Sequence, residues 1–263
     1  MAKLVGKQVG PIGLGLMNLT WRSTPPPQEQ AFATLRAAIA NGCYCWNGAD
    51  FYGTPDYNSL VLLERYFEKY PEDADKVVLS IKGGLKGRKK IDMFEFARRD
   101  PNVPLEVTFG VIDKEYVQTG KIGGIALSEV RAETIHEAVK YTKIVAVEAE
   151  LSMYDNGVTA ACAQYGISIV AYRPSAALAS KVEETAARKG CTPAQLAINW
   201  TIALSRRLKT TIVPIPGSST PERVEENSKF VEVSDEELDQ IDAILKDFTP
   251  AGERYPTIFQ TET

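Results

Sequence analysis

Eight short apolar segments, rich in valine and isoleucine, alternate with segments of helical periodicity along the 263 residues of the chain. This alternation predicts an α/β protein with a (β/α)₈, or TIM, barrel, because parallel strands that are buried on both faces read as continuous apolar runs. A doubly wound open sheet is the main alternative, but no GxGxxG motif follows the first predicted strand, which disfavours it. We expect residues 1–263 to form a single barrel domain.

The order of the elements follows this alternation from one end of the chain to the other. The predicted strands are residues 12–16, 44–47, 77–82, 91–96, 122–127, 144–148, 168–172 and 211–215. The predicted helices are residues 29–40, 60–69, 105–119, 132–141, 157–164, 193–205 and 221–228, and a last helix, 235–248, is expected to pack outside the barrel. Some helices begin at good cap residues, such as Thr192 before Pro193 and Ser234 before the last helix.

Two connections are short for such a barrel. Six residues separate Gly84 from the fourth predicted strand, although a parallel connection needs about a dozen or more, and the segment after Tyr172 lacks the long loop often found at this place. The sequence therefore predicts that the third barrel helix is missing. Either the segments are deleted in this chain, or the sequence holds only residues that were visible in a structure. The second alternative is favoured, because a barrel without a wall helix exposes apolar strand surface.

Composition and charge exclude several classes of function. With 44% hydrophobic and 24% charged residues and a net charge of −4, the chain is typical of a soluble globular protein without a nucleic-acid surface. It has no window of 18 apolar residues and no signal-peptide core, so we expect a cytoplasmic protein without membrane contact. Cys43, Cys45, Cys162 and Cys191 form no CxxC pair, and His136 is the single histidine, which argues against a metal site and a Ser-His-Asp hydrolase.

Two polar residues stand where chemistry is expected in a barrel, at the carboxyl ends of neighbouring strands. Tyr52 follows the second predicted strand and precedes Gly53, and Lys82 ends the third. A phenol has a pKa of about 10 and therefore needs a cationic neighbour to exchange a proton near neutral pH. Either residue alone would be read as part of the barrel rim, but their joint placement predicts a proton-transfer pair.

Five segments resemble successive blocks of the aldo-keto reductases, in the right order and at strand ends. They are Asn47-Gly-Ala-Asp-Phe-Tyr52-Gly, Ser80-Ile-Lys82-Gly-Gly, residues 120–129, Val170-Ala-Tyr172-Arg-Pro and residues 215–227. Trp46-Asn47-Gly48 and residues 51–58 are similar to the fungal pyridoxal reductases within that family. The resemblance covers residues 13–256, and it implies that parts of the cofactor loops are missing at the short connections.

This resemblance implies the reduction of an aldehyde by hydride from NADPH, with Tyr52 as the proton donor and Lys82 lowering its pKa. A phenol polarised by an ammonium can stabilise the charge that grows on the carbonyl oxygen and then protonate it. The chain departs from the family at two positions. Asn47 replaces an Asp that pairs with the Lys, and it can accept a hydrogen bond without supplying charge. Ala97 replaces a His beside the Tyr, which leaves space for an aromatic aldehyde such as pyridoxal.

The resemblance also implies residues that hold the nicotinamide end of the cofactor. Ser128 and Glu148 would hold the nicotinamide amide, Glu148 in place of the more usual Gln, and Tyr172 would stack on the ring. Arg173 falls near the pyrophosphate, in a segment that differs from the usual Ser-Pro-Leu-Gly.

Residues near the end of the chain would hold the other half of the cofactor. Gly217 and Ser218 precede a helix whose N-terminus can bind a phosphate. Arg223 adds positive charge there, which favours NADPH over NADH. Glu226 and Asn227 match positions that hold the adenine.

The substrate and the physiological role are less determined. Trp21 can form an aromatic wall for the substrate or a hydrophobic plug over the barrel mouth. The leading interpretation is a reductase that acts on a small aldehyde as a monomer or small homo-oligomer. A redox-sensing regulatory subunit of low turnover, like the potassium-channel β subunits, is the alternative, since the family's Asp and His are both replaced. An inactive barrel that serves as an interaction surface is a third possibility, which the phosphate-binding residues argue against.

Overall fold

The computed structural model describes residues 2–83, 91–151, 157–172 and 182–246. Its strands are β1 (Lys3–Leu4), β2 (Lys7–Gln8), β3 (Leu14–Gly15), β4 (Cys45–Ala49), β5 (Gly53–Thr54), β6 (Tyr57–Asn58), β7 (Val78–Lys82), β8 (Met93–Glu95), β9 (Ile125–Ser128), β10 (Ile144–Glu150), β11 (Ser168–Tyr172) and β12 (Ile212–Pro214). Its helices are α1 (Met17–Thr20), α2 (Gln28–Ala40), α3 (Ser59–Lys69), α4 (Leu105–Ile112), α5 (Ala132–Ala138), α6 (Val158–Tyr165), α7 (Glu183–Arg188), α8 (Pro193–Leu208), α9 (Pro221–Asn227) and α10 (Asp235–Lys246).

Eight of these strands form one parallel sheet in the order β3, β4, β7, β8, β9, β10, β11, β12. The first and last strands of this sheet approach each other, because the amides of Gly13 and Gly15 donate to the carbonyls of Pro214 (2.8 Å) and Pro216 (3.2 Å). The predicted (β/α)₈ barrel is therefore confirmed, with all eight predicted strands in their predicted order.

The predicted helices are all present, with some changes at their ends. The helix predicted over 105–119 divides, since α4 ends at Ile112 and the chain continues in a wider π turn, Asp113–Val117. Helix α8 begins at a capping box between Thr192 and Gln195, and it runs three residues beyond its predicted end, to the left-handed residue Lys209. The hairpins β1–β2 and β5–β6 and the short helices α1 and α7 were not predicted, because such short elements show no periodicity.

No helix lies between β7 and β8 in the part of the chain that the structure describes. These strands are adjacent and parallel, and residues 83–92 join them, of which 84–90 lie outside the described residues. The sequence contains no further residues at this place. The short connection therefore belongs to the chain itself, and the alternative of residues unseen in a structure is wrong.

The barrel interior is apolar toward the amino ends of the strands and polar toward their carboxyl ends. The apolar layer consists of Cys45, Val78, Met93, Ala126, Ala146, Val170 and Val213. Leu4 of the β1–β2 hairpin and Val9, which follows it, pack against this layer. Alternate residues of a strand face the same side, so the inward positions two residues further along are Asn47, Ser80, Glu95, Ser128, Glu148 and Tyr172. This polar layer lies where a barrel carries its chemistry.

Candidate active site

Tyr52 stands in the turn that follows β4. Its carbonyl accepts a hydrogen bond of 2.6 Å from the hydroxyl of Thr20. The next residue, Gly53, has φ 125°, and a Cβ there would collide with the carbonyl of Tyr57, so only glycine can follow Tyr52 without strain. The backbone on both sides thus fixes the tyrosine at the mouth of the barrel.

Lys82 lies beside Tyr52, as the strand order predicts. Its Nζ is 5.5 Å from the centroid of the tyrosine ring. Burial raises the pKa of Tyr52, while the charge of Lys82 and a hydrogen bond from it act in the opposite direction. Lys82 thus lowers the pKa of Tyr52, as expected, although the net pKa of Tyr52 lies above its ordinary value. Burial and two nearby carboxylates, Glu148 and Glu95, outweigh the ammonium.

Two buried carboxyl groups surround the Lys82 ammonium. Its Nζ donates to both oxygens of Glu148, at 2.7 Å and 2.6 Å, and lies 3.4 Å from Oε1 of Glu95. Burial alone would lower the pKa of Lys82, but the charges of Glu148 and Glu95 raise it above the ordinary value of a lysine. Lys82 therefore remains an ammonium although only 3% of it is exposed.

Asn47 links the same groups. Its Oδ1 accepts a hydrogen bond of 3.3 Å from Lys82, as expected, and its Nδ2 donates to Glu95 Oε1 at 2.8 Å and to Glu148 Oε2 at 2.5 Å. The amide supplies no charge of its own. Glu148, which contacts both the ammonium and Asn47, supplies the negative charge that position 47 lacks.

The sequence analysis missed Glu95. This residue is fully buried, and its Oε1 accepts hydrogen bonds from Asn47 and, at 3.1 Å, from Ser80. Burial raises the pKa of Glu95 to about 8, with a further contribution from Glu148, while Lys82 lowers it. A signal was present in the sequence, since Glu95 is the charged residue two positions after Met93, on the inward side of an otherwise apolar strand.

Ser128 and Tyr172 fit a group with hydrogen-bonding capacity. The hydroxyls of both residues are buried without a hydrogen-bond partner among the described residues. Ser128 pairs in register with Glu148 across β9 and β10, and Tyr172 ends the next strand, β11. Unpaired buried hydroxyls are costly, so these two are suited to hold the amide and the ring of a nicotinamide. Arg173 lies outside the described residues.

A cavity of about 520 Å³ opens at the other end of the predicted cofactor site. It is lined by Asn18, Arg22, Gly217, Ser219, Thr220 and Arg223. Two arginines at one cavity suit a phosphate group. Arg22 was missed by the sequence analysis, because it lies two hundred residues away in the chain and the fold alone brings it to this place.

Other predicted residues of this region contact one another. Arg223 forms an ion pair of 2.7 Å with Glu226, which neutralises part of its charge. The buried pair Ser218 and Asn227 is joined by a hydrogen bond of 3.1 Å. A Cβ at Gly217 would lie 2.6 Å from the side-chain Nδ2 of Asn18, so a larger residue there requires that side chain to move.

The two predicted substrate residues lie near Tyr52 and near Glu95. Trp21 is 45% exposed and stacks on the Tyr52 ring, with 5.4 Å between centroids and 29° between planes, and Phe51 contacts both rings edge-on. Ala97 follows β8, two residues after Glu95. Trp21 thus lies against Tyr52 at the barrel mouth, a position that agrees with both an aromatic wall for the substrate and a plug over the mouth.

None of the helices in the described segments is long and apolar enough to cross a membrane. Within the same segments, no group of three His, Cys, Asp or Glu residues could hold a metal ion. All four cysteines are free.

Comparison with known sequences places this site in a family. The profile of the Aldo/keto reductase family matches residues 11–90, 85–177 and 175–246. The chain belongs to the aldo/keto reductase family, a family of oxidoreductases. Similar proteins are a probable pyridoxal reductase 2 of Schizosaccharomyces pombe, 34% identical over 95% of this chain and 96% of that protein, and a putative pyridoxal reductase of Saccharomyces cerevisiae, 28% identical over 92% and 95%.

Solved structures share the fold. A thermostable aldo-keto reductase in complex with the inhibitor epalrestat has a TM-score of 0.77 at 21% identity, over 92% of this chain and 98% of that one. An aldo-keto reductase of Klebsiella pneumoniae in complex with NADPH has a TM-score of 0.76 at 22% identity, over 93% of this chain and 95% of that one.

The same comparisons locate the short connections. The three matched segments of the family profile meet at residues 85–90 and 175–177, which are the two places where the sequence predicts missing segments. The alignment with the S. pombe protein spans 322 positions, whereas 95% of 263 residues is about 250 residues, so about 70 positions have no counterpart in this chain. The chain is therefore shorter than this relative within the matched region.

Proposed function

We propose that the protein reduces an aldehyde to an alcohol with hydride from NADPH and a proton from Tyr52. The observation that carries this proposal is the placement of Tyr52 beside the Lys82 ammonium at the barrel mouth, in a chain of the aldo/keto reductase family. We also propose pyridoxal or a related aromatic aldehyde as the substrate, because two similar fungal proteins are named as pyridoxal reductases. The protein acts as one barrel domain, in the cytoplasm, as a monomer or small homo-oligomer.

Tyr52 and Lys82 perform the proton chemistry in this proposal. When bound, NADPH supplies the hydride that reduces the carbonyl carbon. Negative charge then grows on the carbonyl oxygen, and the Tyr52 hydroxyl donates a hydrogen bond and finally its proton to that oxygen. The raised pKa of Tyr52 keeps the phenol protonated at neutral pH, which is the state a proton donor requires. Lys82 remains charged and stabilises the tyrosinate that is left.

The unpaired hydroxyls and the arginines hold the cofactor in this proposal. Ser128 and Tyr172 engage the nicotinamide end, since both have free hydrogen-bonding capacity. Arg22 and Arg223 engage the phosphates at the cavity between them. Both oxygens of Glu148 are occupied by Lys82, so its principal contact is with the lysine.

The mouth of the site fits an aromatic substrate. Trp21, which is stacked on Tyr52 and partly exposed, provides a flat apolar face next to the proton donor. Ala97 leaves the space that an imidazole occupies in the family, so a substituted ring can approach Tyr52. The missing imidazole also removes one donor to the substrate oxygen.

A redox-sensing subunit of low turnover is the second candidate. The observation that favours it is the raised pKa of Tyr52 together with the replacement of the family's Asp and His by Asn47 and Ala97. Such a subunit binds NADPH tightly and consumes it slowly with every aldehyde, whereas a reductase turns over repeatedly with at least one.

Steady-state oxidation of NADPH with pyridoxal tests the proposal. Tyr52→Phe removes the proton donor and should lower kcat by roughly 10²–10⁴-fold. Tyr57→Phe is the matched control, because Tyr57 lies in the adjacent hairpin and its buried hydroxyl has no hydrogen-bond partner within the described segments. We expect the control to retain wild-type turnover. Equal turnover of wild type and Tyr52→Phe would refute the assigned role of Tyr52.

A further inference from the structure

The buried cluster around Lys82 contains more acid than base. One ammonium faces two carboxyl groups, Glu148 and Glu95, and the neighbouring hydrogen-bond partners Asn47 and Ser80 carry no charge. If both carboxyl groups were ionised, the cluster would hold one uncompensated negative charge in a site closed from water. Such a charge is costly, and a buried acid avoids the cost by keeping its proton.

The hydrogen bonds show which acid keeps the proton. Both oxygens of Glu148 accept short hydrogen bonds from Lys82, and one of them accepts another from Asn47. In Glu95, by contrast, Oε1 receives the donors, while Oε2 is buried with no partner among the described residues. Hydrogen bonds donated to a carboxyl group favour its ionised form, so the ionised group is Glu148, which accepts on both oxygens, and the protonated group is Glu95. The two carboxyl groups are within hydrogen-bonding reach of each other, so protonated Glu95 can donate to Glu148.

We propose that Glu95 holds a proton in the working site and that loss of this proton slows aldehyde reduction at alkaline pH. This proposal rests on the proposed reductase function, and nothing in that function by itself requires Glu95. In this role Glu95 is a positioning residue, because it acts through Lys82 and Tyr52 and does not touch the substrate. Its proton balances the charge of the cluster and removes one of the two negative charges that oppose the effect of Lys82 on Tyr52.

Ionisation of Glu95 would reverse this effect. A second negative charge beside Lys82 disfavours further negative charge on Tyr52 and on the substrate oxygen, which is the charge that grows during reduction. The charge of Glu95 acts on Tyr52 in this direction. A further titratable group near Glu95 among the described residues is Cys45 on β4, whose pKa burial raises, so the thiol stays neutral. Glu95 is therefore the group of this cluster that changes charge at mildly alkaline pH.

The first test measures stability and needs neither cofactor nor substrate. The folded-state pKa of Glu95 is raised, so the folded protein binds more protons than the unfolded protein between about pH 4.5 and the raised value, and stability falls as the pH rises through this window. Glu95→Gln removes the titration with little change of shape. We expect the Tm of wild type to fall relative to that of Glu95→Gln by roughly 5–10 °C across the window. Parallel curves of Tm against pH for wild type and Glu95→Gln would overturn the proposal.

The matched control is Asp92→Asn. It makes the same change of carboxylate to amide three residues earlier, in a side chain paired with the exposed Lys7 at 2.8 Å. Its Tm should follow the pH dependence of wild type, because this variant leaves Glu95 in place.

The second test measures kcat for pyridoxal reduction against pH. The wild-type kcat should fall as the pH rises beyond about 8, and Glu95→Gln should retain near-neutral activity within about threefold and lose this alkaline decline. A purely structural role predicts instead that Glu95→Gln lowers kcat equally at every pH, which would overturn the proposal. If no aldehyde is reduced at any pH, the proposed function fails, and the stability curves alone decide whether Glu95 carries the proton.

Discussion

Replacing Glu148 by glutamine tests whether this carboxylate supplies the charge that Asn47 lacks. Both oxygens of Glu148 lie within 2.7 Å of the Lys82 Nζ, and both residues are less than 5% exposed. Removing one partner of a buried ion pair typically costs about 3–5 kcal/mol. Because Glu95, 3.4 Å from the same nitrogen, can ionise in its place, we expect Glu148→Gln to lower the free energy of unfolding by about 2–3 kcal/mol.

The companion change is Asn47→Asp, which alone places three carboxyl groups around one ammonium. We expect it to cost about 2 kcal/mol or more, because the added charge is buried and unpaired. The double variant Asn47→Asp/Glu148→Gln exchanges amide and carboxylate across Lys82 and restores the charge balance. Its cost should be smaller than that of either single variant, with a coupling free energy of at least about 2 kcal/mol.

Urea unfolding of the four proteins at neutral pH measures this coupling. Equal m-values confirm that the same surface is exposed in each protein. Measurement of kcat for the same four proteins shows whether the exchanged pair also supports turnover. Stability costs that add within about 0.5 kcal/mol would show that residues 47 and 148 do not share Lys82, and would refute the reasoning.

Two further predictions concern the cofactor cavity and the stability of the fold. Replacing Arg22 or Arg223 by alanine should weaken NADPH binding by roughly tenfold and NADH binding less, because each arginine lines the cavity assigned to the phosphate that NADPH carries and NADH lacks. Fluorescence titration measures both affinities, and equal losses for the two nucleotides would contradict the assignment. Asp73→Asn should lower the free energy of unfolding by about 2 kcal/mol at neutral pH, because the fully buried Asp73 accepts hydrogen bonds from Tyr66 (2.7 Å) and Lys76 (2.8 Å). Burial alone would raise the pKa of Asp73, but these hydrogen bonds lower it. The stabilisation by Asp73 is therefore present above about pH 4 and is lost as the pH falls through the lowered pKa. The free energy of unfolding, measured against pH, should be lower for the variant than for wild type at neutral pH and equal for the two proteins at strongly acidic pH.

The barrel could be predicted from the sequence because each of its strands is a separate apolar run. The proximity of Tyr52 and Lys82 could be predicted for the same reason, since Lys82 ends such a run, Tyr52 stands in the loop after another, and the strand order makes them neighbours. The boundaries of α4 could not be predicted, because helical periodicity continues through the π turn that follows it.

The electrostatics of the site could not be predicted from local sequence. Glu148 was assigned to the cofactor by its position in the chain, and only the closed barrel brings both of its oxygens to Lys82, 66 residues away. Glu95 and Arg22 were missed because their partners come from distant strands and loops. The direction of the pKa shift of Tyr52 depends on burial, which only the folded chain defines.

The central claim is that hydride from NADPH and a proton from Tyr52 reduce an aldehyde at this site, and isotope transfer tests it most directly. NADPH that carries deuterium at the transferred position is incubated with pyridoxal and the wild-type protein, and the product alcohol is analysed by mass spectrometry. The account predicts one deuterium per molecule of alcohol, NADPH consumed in equal amount, and almost no product with Tyr52→Phe. Unlabelled alcohol, or equal product from Tyr52→Phe, would contradict it.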